Sequence, residues 1–457
     1  MSAPTVHSRS IPTWAIVLAG IAALGVIAWH ITAFPITNPF YGLFENATDV
    51  RVYRAGADAV LDSRPLYDAP VLWRLHFTYP PFAAIAFVPL AVLGAGFADI
   101  IWWAAGFAAL AALVAVVALG ARSLGYRLGA RLIVFAALFS IAVTALEPVR
   151  TTIWLGQVNL VVMALVLTDL VFLRVDSRWR GIALGIAAGL KLMPLFAVFY
   201  LVVTRQWRAA ATAIVTFGAT VAIGFLVIGS DARTYWTRHL FESARIGRAD
   251  SPANQSVRGF GSQMLAHLDV RRFTHPGPGG PVFEAPSWLW VPAALVVAVV
   301  GLWAAVVARR MSQPLLAATI VGMTMCAVSP FAWGHHWVWC VPLLLVTLDL
   351  ALRHGSRQTW WYWLAPAGVV ALTFTWWRHW WDSGPYLTSD HAISLGLFMM
   401  PRSTGPGVGG HVLAVIYAGC YPLLLAVTVV ATLVVHSVAR RRAEARTPAR
   451  DDVIAVA

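Results

Sequence analysis

Phe77-Thr78-Tyr79-Pro80-Pro81-Phe82 opens an apolar stretch that runs to Leu93, and its reading decides the fold. The paired prolines forbid a continuous helix, because the residue before each is pushed out of the α region. About twelve apolar residues remain from Phe82 to Leu93, short of the roughly 20 that cross a bilayer. If the stretch crossed, Arg122, Arg127 and Arg131, which follow the long run Ile100–Gly120, would face outward. If it only dips into the membrane or lies at its surface, those arginines face the cytoplasm, as basic loops prefer. Residues 82–93 are therefore expected to be re-entrant or interfacial.

Composition supports a membrane fold. The chain has 457 residues, 59% of them hydrophobic and only 12% charged. Apolar runs of about 20 residues recur along its whole length. The net charge of +13 comes from arginines in short loops between those runs, the pattern of topology signals rather than of a nucleic-acid footprint. Cys326, Cys340 and Cys420 show neither metal-ligand spacing nor a disulfide framework. The expected fold class is all-α, a polytopic integral membrane protein of about ten to twelve transmembrane or re-entrant helices.

The basic loops then order the chain. Trp14–Phe34 reads as a retained first span, and the segment 35–80 is external, with Tyr53, Tyr67, Trp73 and Phe77 as anchors at headgroup level. Leu132–Leu146 crosses outward and Val158–Leu173 returns. Gly181–Thr204 lies between two basic loops, so it is expected to be a hairpin broken at Lys191–Pro194. Gly181, Gly185 and Gly189 give it a small-residue face for close packing. Crossings follow at Ala209–Ile228, Trp288–Ala308, Leu315–Phe331, Val338–Leu352, Trp360–Thr375 and His411–Val435. The result is one polytopic domain over 1–436, with external loops 35–80, 147–157, 231–285, 332–337 and 376–410, and a basic cytoplasmic tail, 437–457.

On this map the polar clusters share the outer face. Asp49 is a candidate general base or cation-stabilising carboxylate. Glu147 and Arg150 precede a turn that ends in Gln157 and Asn159, and the Arg150 guanidinium offers a planar fork for phosphate oxygens. Asn254, Gln255, Ser256 and Arg258 suit sugar hydroxyls. Lys191, the only lysine in the chain, sits in an apolar run at the proline break, where it either serves a site or snorkels to the headgroups. His335 and His336 stand among Trp333, Trp337 and Trp339, with no third ligand nearby in sequence to suggest a metal. No nucleotide-binding signature is present. An enzyme of this shape, with an external site lined by membrane helices, needs a lipid-linked donor.

These residues carry a resemblance. Asp49-Val50-Arg51-Val52-Tyr53, Phe77-Thr78-Tyr79-Pro80-Pro81-Phe82-Ala83-Ala84, Glu147-Pro148-Val149-Arg150, Gly156-Gln157-Val158-Asn159, Gly189-Leu190-Lys191-Leu192-Met193-Pro194, Asn254-Gln255-Ser256, and Ser329-Pro330 with Gly334-His335-His336-Trp337-Val338-Trp339 occur in that order. The chain resembles the actinobacterial polyprenol-phosphate-mannose-dependent α-(1,2)-mannosyltransferases, glycosyltransferase family 87, of the GT-C class. It departs from them between Arg150 and Gly156, where Thr151-Thr152-Ile153-Trp154-Leu155 stands in place of a common Asp-Tyr pair.

The resemblance implies a GT-C-like bundle in the cell membrane with its site on the extracytoplasmic face. It also implies Asp49 as catalytic base and a histidine of the His335–His336 pair at the donor. The expected reaction moves mannose from polyprenyl-phosphate-mannose to a glycolipid acceptor, a phosphatidylinositol mannoside or lipomannan. An α product from a β-linked donor requires inversion, with one carboxylate taking the acceptor proton. Arg150, Lys191, His335 and His336 are the candidates for holding the leaving phosphate. Glu147, Gln157, Asn159, Asn254, Gln255 and Arg258 are expected at the sugars. No cofactor, metal or nucleic acid is expected, and the partners are the lipid donor, the glycolipid acceptor and membrane lipids. Two alternatives stay open: an arabinofuranosyltransferase using polyprenyl-phosphate arabinose, and a transporter or flippase of lipid-linked sugars.

Overall fold

The structure, a computed structural model, describes residues 9–32, 36, 42–94, 98–277, 280–374, 397 and 407–446. Most of the expected loop 376–410 and the end of the expected tail lie outside the described residues. The chain is a helical membrane protein. It begins with α1 (Thr13–Thr32), the short amphipathic α2 (Thr48–Leu61), and two stubs, α3 (Pro81–Ala86) and α4 (Val88–Gly94). Pro81 stands at the start of α3, where a missing N–H costs nothing. Neither stub is long enough to cross, and both rest against α2. The stretch 81–94 is thus not a span.

α5 (Ala98–Ser123) and α6 (Ala130–Ala142) follow, and the chain then turns by 89° into α7 (Glu147–Leu155). α8 (Asn159–Leu167) continues through a π-helical segment to Phe172. The expected hairpin is present as α9 (Ile182–Leu190), a break at Lys191 and Leu192, a 3-10 turn, and α10 (Ala197–Val203). At 1.5 Å per residue the nine residues of α9 rise about 13 Å, under half of a bilayer core of about 30 Å. Lys191 follows directly on α9, at the break of the hairpin.

α11 (Trp207–Thr237) runs alongside α9. Gly181, Gly185 and Gly189 face Ala209, Thr216 and Thr220, and a Cβ on any of the three would strike α11. This is the close approach that a small-residue face allows. α11 kinks at Ile228 and Gly229, where the apolar run ends in sequence. Its last turns continue past the kink and bring Tyr235 to the site.

The chain then forms α12 (Val257–His267) and a hairpin of β1 (Thr274–His275) paired antiparallel with β2 (Val282–Phe283). α13 (Ser287–Arg310), α14 (Pro314–Val328), α15 (Cys340–His354), α16 (Leu364–Thr373) and α17 (Gly407–Arg446) complete the fold. Among the described residues α1, α5, α11, α13 and α17 are long and apolar enough to cross a membrane, and the bent α6–α7 pair passes the same test. α16 has ten residues, so the expected crossing at 360–375 is shorter than a span within the described residues. α17 runs on as one helix to Arg446, past the expected tail boundary at 437.

The basic loops gather at one end. Arg9 pairs with Asp349 at 3.0 Å, Arg353 pairs with the same carboxylate at 2.7 Å, and both donate to the Leu124 carbonyl. Arg131 donates to the Ile11 carbonyl at 3.1 Å. α2, α7, the 3-10 turn Gly334–His336 and α12 belong to the opposite end, where the polar clusters meet. Tyr53, Tyr67 and Phe77 do not anchor in headgroups. They are buried with Tyr235 in a small core under α2, whereas Trp73 is 68% exposed.

Candidate active site

α2 starts abruptly. Ala47 has a φ of +46°, a left-handed conformation that costs a non-glycine residue about 1 kcal/mol or more. Its N–H donates to the Trp154 carbonyl at 2.9 Å, and Asn46 Oδ1 accepts from the Thr48 N–H at 3.0 Å. These bonds fix the first turn, so Asp49 points from a rigid helix start. The turn after α7 docks there too. Gly156, with φ +69°, lies so close to Val50 that a side chain would collide with it, and the next residue, Gln157, is thereby brought to Asp49.

The Asp49 carboxyl is embedded in a hydrogen-bonded net. Gln157 bonds it and donates from Nε2 to the Tyr79 hydroxyl at 3.0 Å, while the Tyr53 hydroxyl donates to Gln157 Oε1 at 2.7 Å. Burial pushes the Asp49 carboxyl up to about 6, against the Gln157 hydrogen bond and the nearby Lys191 charge, which pull it down. A carboxylate in that range is poised for proton transfer near neutral pH.

Lys191 stands across the same cavity. Its Nζ donates to Asn159 Oδ1 at 2.8 Å and lies 3.0 Å from His336 Nε2. An ammonium can only donate, so Nε2 accepts and the His336 proton sits on Nδ1. Burial and the Lys191 charge hold His335 and His336 well below the usual imidazole range, so both are neutral. The His335 carbonyl accepts from Asn159 Nδ2 at 2.8 Å and from the Thr152 hydroxyl at 2.9 Å, which pins the 3-10 turn to α7 and α8.

These side chains line a cavity of about 640 Å³. Asp49, Tyr79, Gln157, Lys191, His335 and His336 form its polar inner wall. Leu192, Met193, Leu195, Phe196 and Phe199 of the broken hairpin form an apolar side, and Phe199 is 59% exposed at the helix surface.

Six of the eleven residues singled out from the sequence stand elsewhere. Asn159 lies one hydrogen bond behind the wall. Arg150 is fully buried in α7 and is not on the wall. Glu147 accepts from the Tyr421 hydroxyl at 2.5 Å and from Thr151 at 3.1 Å, with its carboxylate against Gly334. Asn254 Oδ1 accepts from the Ala332 N–H at 3.1 Å. Gln255 donates to the Tyr417 carbonyl at 2.8 Å and accepts from the Tyr421 N–H at 3.2 Å. Arg258 pairs with Glu284 and donates to Ser243 at 2.9 Å. The polar groups of Glu147, Asn254, Gln255 and Arg258 are spent on the protein, because loops folded back over a bundle must satisfy buried polar groups. Sequence reasoning missed two residues of the site: Tyr53, expected as a headgroup anchor, and Tyr79, which had no role of its own. The spacing of Asp49 and Tyr53, four apart on one helix face, carried the signal.

Comparison with known proteins gives a consistent result. Residues 77–330 match glycosyltransferase family 87. The chain is 33% identical over 374 residues, 78% of this chain and 80% of the relative, to a polyprenol-phosphate-mannose-dependent alpha-(1-2)-phosphatidylinositol mannoside mannosyltransferase of Mycobacterium tuberculosis. It is 35% identical over 330 residues, 70% of this chain and 74% of the relative, to the corresponding phosphatidylinositol pentamannoside mannosyltransferase of Mycolicibacterium smegmatis. A mannosyltransferase of the same species, named for phosphatidylinositol mannoside, is 36% identical over 361 residues, covering 72% and 75%. No solved structure matches the chain.

Proposed function

Because the chain belongs to glycosyltransferase family 87 and is a membrane mannosyltransferase, we propose that it moves mannose from polyprenol-phosphate-mannose to a phosphatidylinositol mannoside, forming an α-(1,2) linkage with inversion. The observation that carries this reading is one cavity shared by a poised carboxylate, the chain's only lysine and an apolar flank open at the helix surface.

Each part has a place in the step. The polyprenyl chain lies along the hairpin flank beside Phe196 and Phe199. The donor phosphate meets the Lys191 ammonium and the Nδ1–H of His336, which stabilise the charge that develops as it leaves. The acceptor hydroxyl gives its proton to Asp49 as its oxygen bonds to the mannose anomeric carbon, and the carbon–phosphate oxygen bond breaks on the opposite face. Polyprenyl phosphate is the leaving group, and its low basicity removes the need for a general acid. Tyr53, Tyr79 and Gln157 orient the base, and Asn159 orients the ammonium. No cofactor enters this scheme beyond the lipid-linked donor.

The test is transfer by the purified protein, with polyprenyl-phosphate mannose offered against the arabinose analogue and a phosphatidylinositol mannoside against lipomannan. Mannose transfer to the phosphatidylinositol mannoside is expected. Transfer of arabinose alone, or movement of donor across vesicles without transfer, would replace this reading.

We also propose that the cavity opens on the extracytoplasmic side of the cell membrane, since the arginine-rich loops gather at the other end. A cysteine replacing the exposed Asp269 is then expected to react with an impermeant thiol reagent in intact cells, and one replacing the exposed Asp176 is not. The reverse labelling pattern would put the site inside. The three native cysteines are buried and give little background.

A further inference from the structure

The transfer step uses only the inner end of the cavity. Its outer end is lined by His76, His239, Glu242, Ser243 and Arg245, which no role above absorbs. Arg245 ties them together. Its guanidinium donates to the Tyr67 carbonyl and lies 3.1 Å from His76 Nδ1. His239 Nδ1 sits between the Glu242 carboxylate, at 2.7 Å, and Arg245, at 2.8 Å. The His239 side chain is only 6% exposed, and its Nε2 has no hydrogen-bond partner among the described residues. A buried polar atom left open in a cavity wall calls for a partner.

Charge decides what that partner is. Hydrogen bonds from His239 and Arg238 hold the Glu242 carboxyl down to about 2, so it stays ionised. Burial and the Arg245 charge lower the imidazole of His76. A fixed carboxylate repels a second anion. Carboxylate, neutral imidazole, hydroxyl and guanidinium instead offer acceptors and donors side by side, which vicinal hydroxyls can satisfy because each both gives and takes a hydrogen.

We propose that this outer chamber is the acceptor subsite, and that His239 and Glu242 bind the hydroxyls of a sugar ring adjoining the one that receives mannose. That ring would hold the acceptor so that its reactive hydroxyl reaches Asp49. The proposal rests on the reading of the cavity as the site of mannosyl transfer.

Initial rates of the purified full-length protein separate the two. Glu242→Gln and His239→Gln are each expected to raise the acceptor KM about tenfold or more, the effect of losing a hydrogen bond to a charged or buried partner. The donor KM is expected to move by less than about twofold. Arg271→Gln is the control. Arg271 pairs with Asp269 at 3.0 Å from an exposed position off the cavity wall, so its loss should leave the acceptor KM in place. Methyl α-mannoside should compete with the acceptor and not with the donor in the unmodified protein, a measurement that needs no variant to fold. Unchanged acceptor KM in both variants, an equal rise in Arg271→Gln, or competition against the donor would overturn the subsite while leaving the transferase reading intact. Failure of the unmodified protein to transfer mannose at all would remove that reading itself.

Discussion

Asp49→Asn is expected to lower transfer by roughly 10²–10⁴-fold, the range for losing a positioned general base. Asparagine keeps the size of the side chain and a hydrogen-bonding contact to Gln157, so donor binding should persist. It cannot take the acceptor proton. Asp49→Glu should recover only part of the rate, because a carboxylate displaced by about 1 Å no longer meets the hydroxyl in line. Asp62 and Asp68 are exposed in the same outer segment, Asp62 paired with Arg64, and are the controls. The base assignment also fixes a pH profile. With its carboxyl pushed up to about 6, Asp49 is ionised above that value and protonated below it. The acid limb of kcat/KM should therefore fall through about pH 6, and Asp49→Asn should flatten that limb. Full activity in Asp49→Asn, or equal losses at all three aspartates, would falsify the assignment.

Lys191→Met is expected to cost about 10²–10³-fold in kcat, comparable to removing one preorganised contact to developing charge. Methionine keeps the length and flexibility of the side chain and removes the ammonium. The loss should appear in kcat more than in donor KM, since the leaving phosphate gains charge as the bond breaks. Near-normal turnover would mean that the lysine only satisfies Asn159 and His336. Intact thermal unfolding in the variant separates a chemical effect from a folding one.

Much of the fold was legible because membrane solvation acts on composition and charge. The proline pair at Pro80-Pro81, the arginines after Gly120 and the basic loops around Gly181–Thr204 were enough to place two short non-spanning helices and a broken hairpin where the structure has them. The inner wall was legible in part. Asp49, Gln157, Lys191, His335 and His336 do meet at one cavity. What the sequence could not reveal is the direction in which a side chain faces. Arg150, Glu147, Asn254, Gln255 and Arg258 carry the chemistry of a sugar or phosphate site, yet the last four bond the protein itself and Arg150 is buried in α7. Tyr53 misread in the opposite sense, because an aromatic residue beside a membrane reads as an interfacial anchor, and Tyr79 carried no assignment of its own. The outer cluster of His76, His239, Glu242 and Arg245 is assembled from segments about 160 to 170 residues apart, and only Glu242 with its near neighbours forms a local pattern.

The grip of α17 on the site sets a timetable for its assembly. Tyr421 bonds Glu147 beneath Gly334, and the Tyr417 carbonyl and Tyr421 N–H clasp Gln255, which in turn holds the Ala332 carbonyl. The cavity wall is complete in sequence by His336, but α17, which braces the histidine turn, begins only at Gly407. A nascent chain halted between the two can insert its earlier spans with Asp49 and Lys191 already in the bilayer and the histidine turn still unbraced. Loss of α17 would therefore leave the histidine turn unbraced while Asp49 and Lys191 are still present.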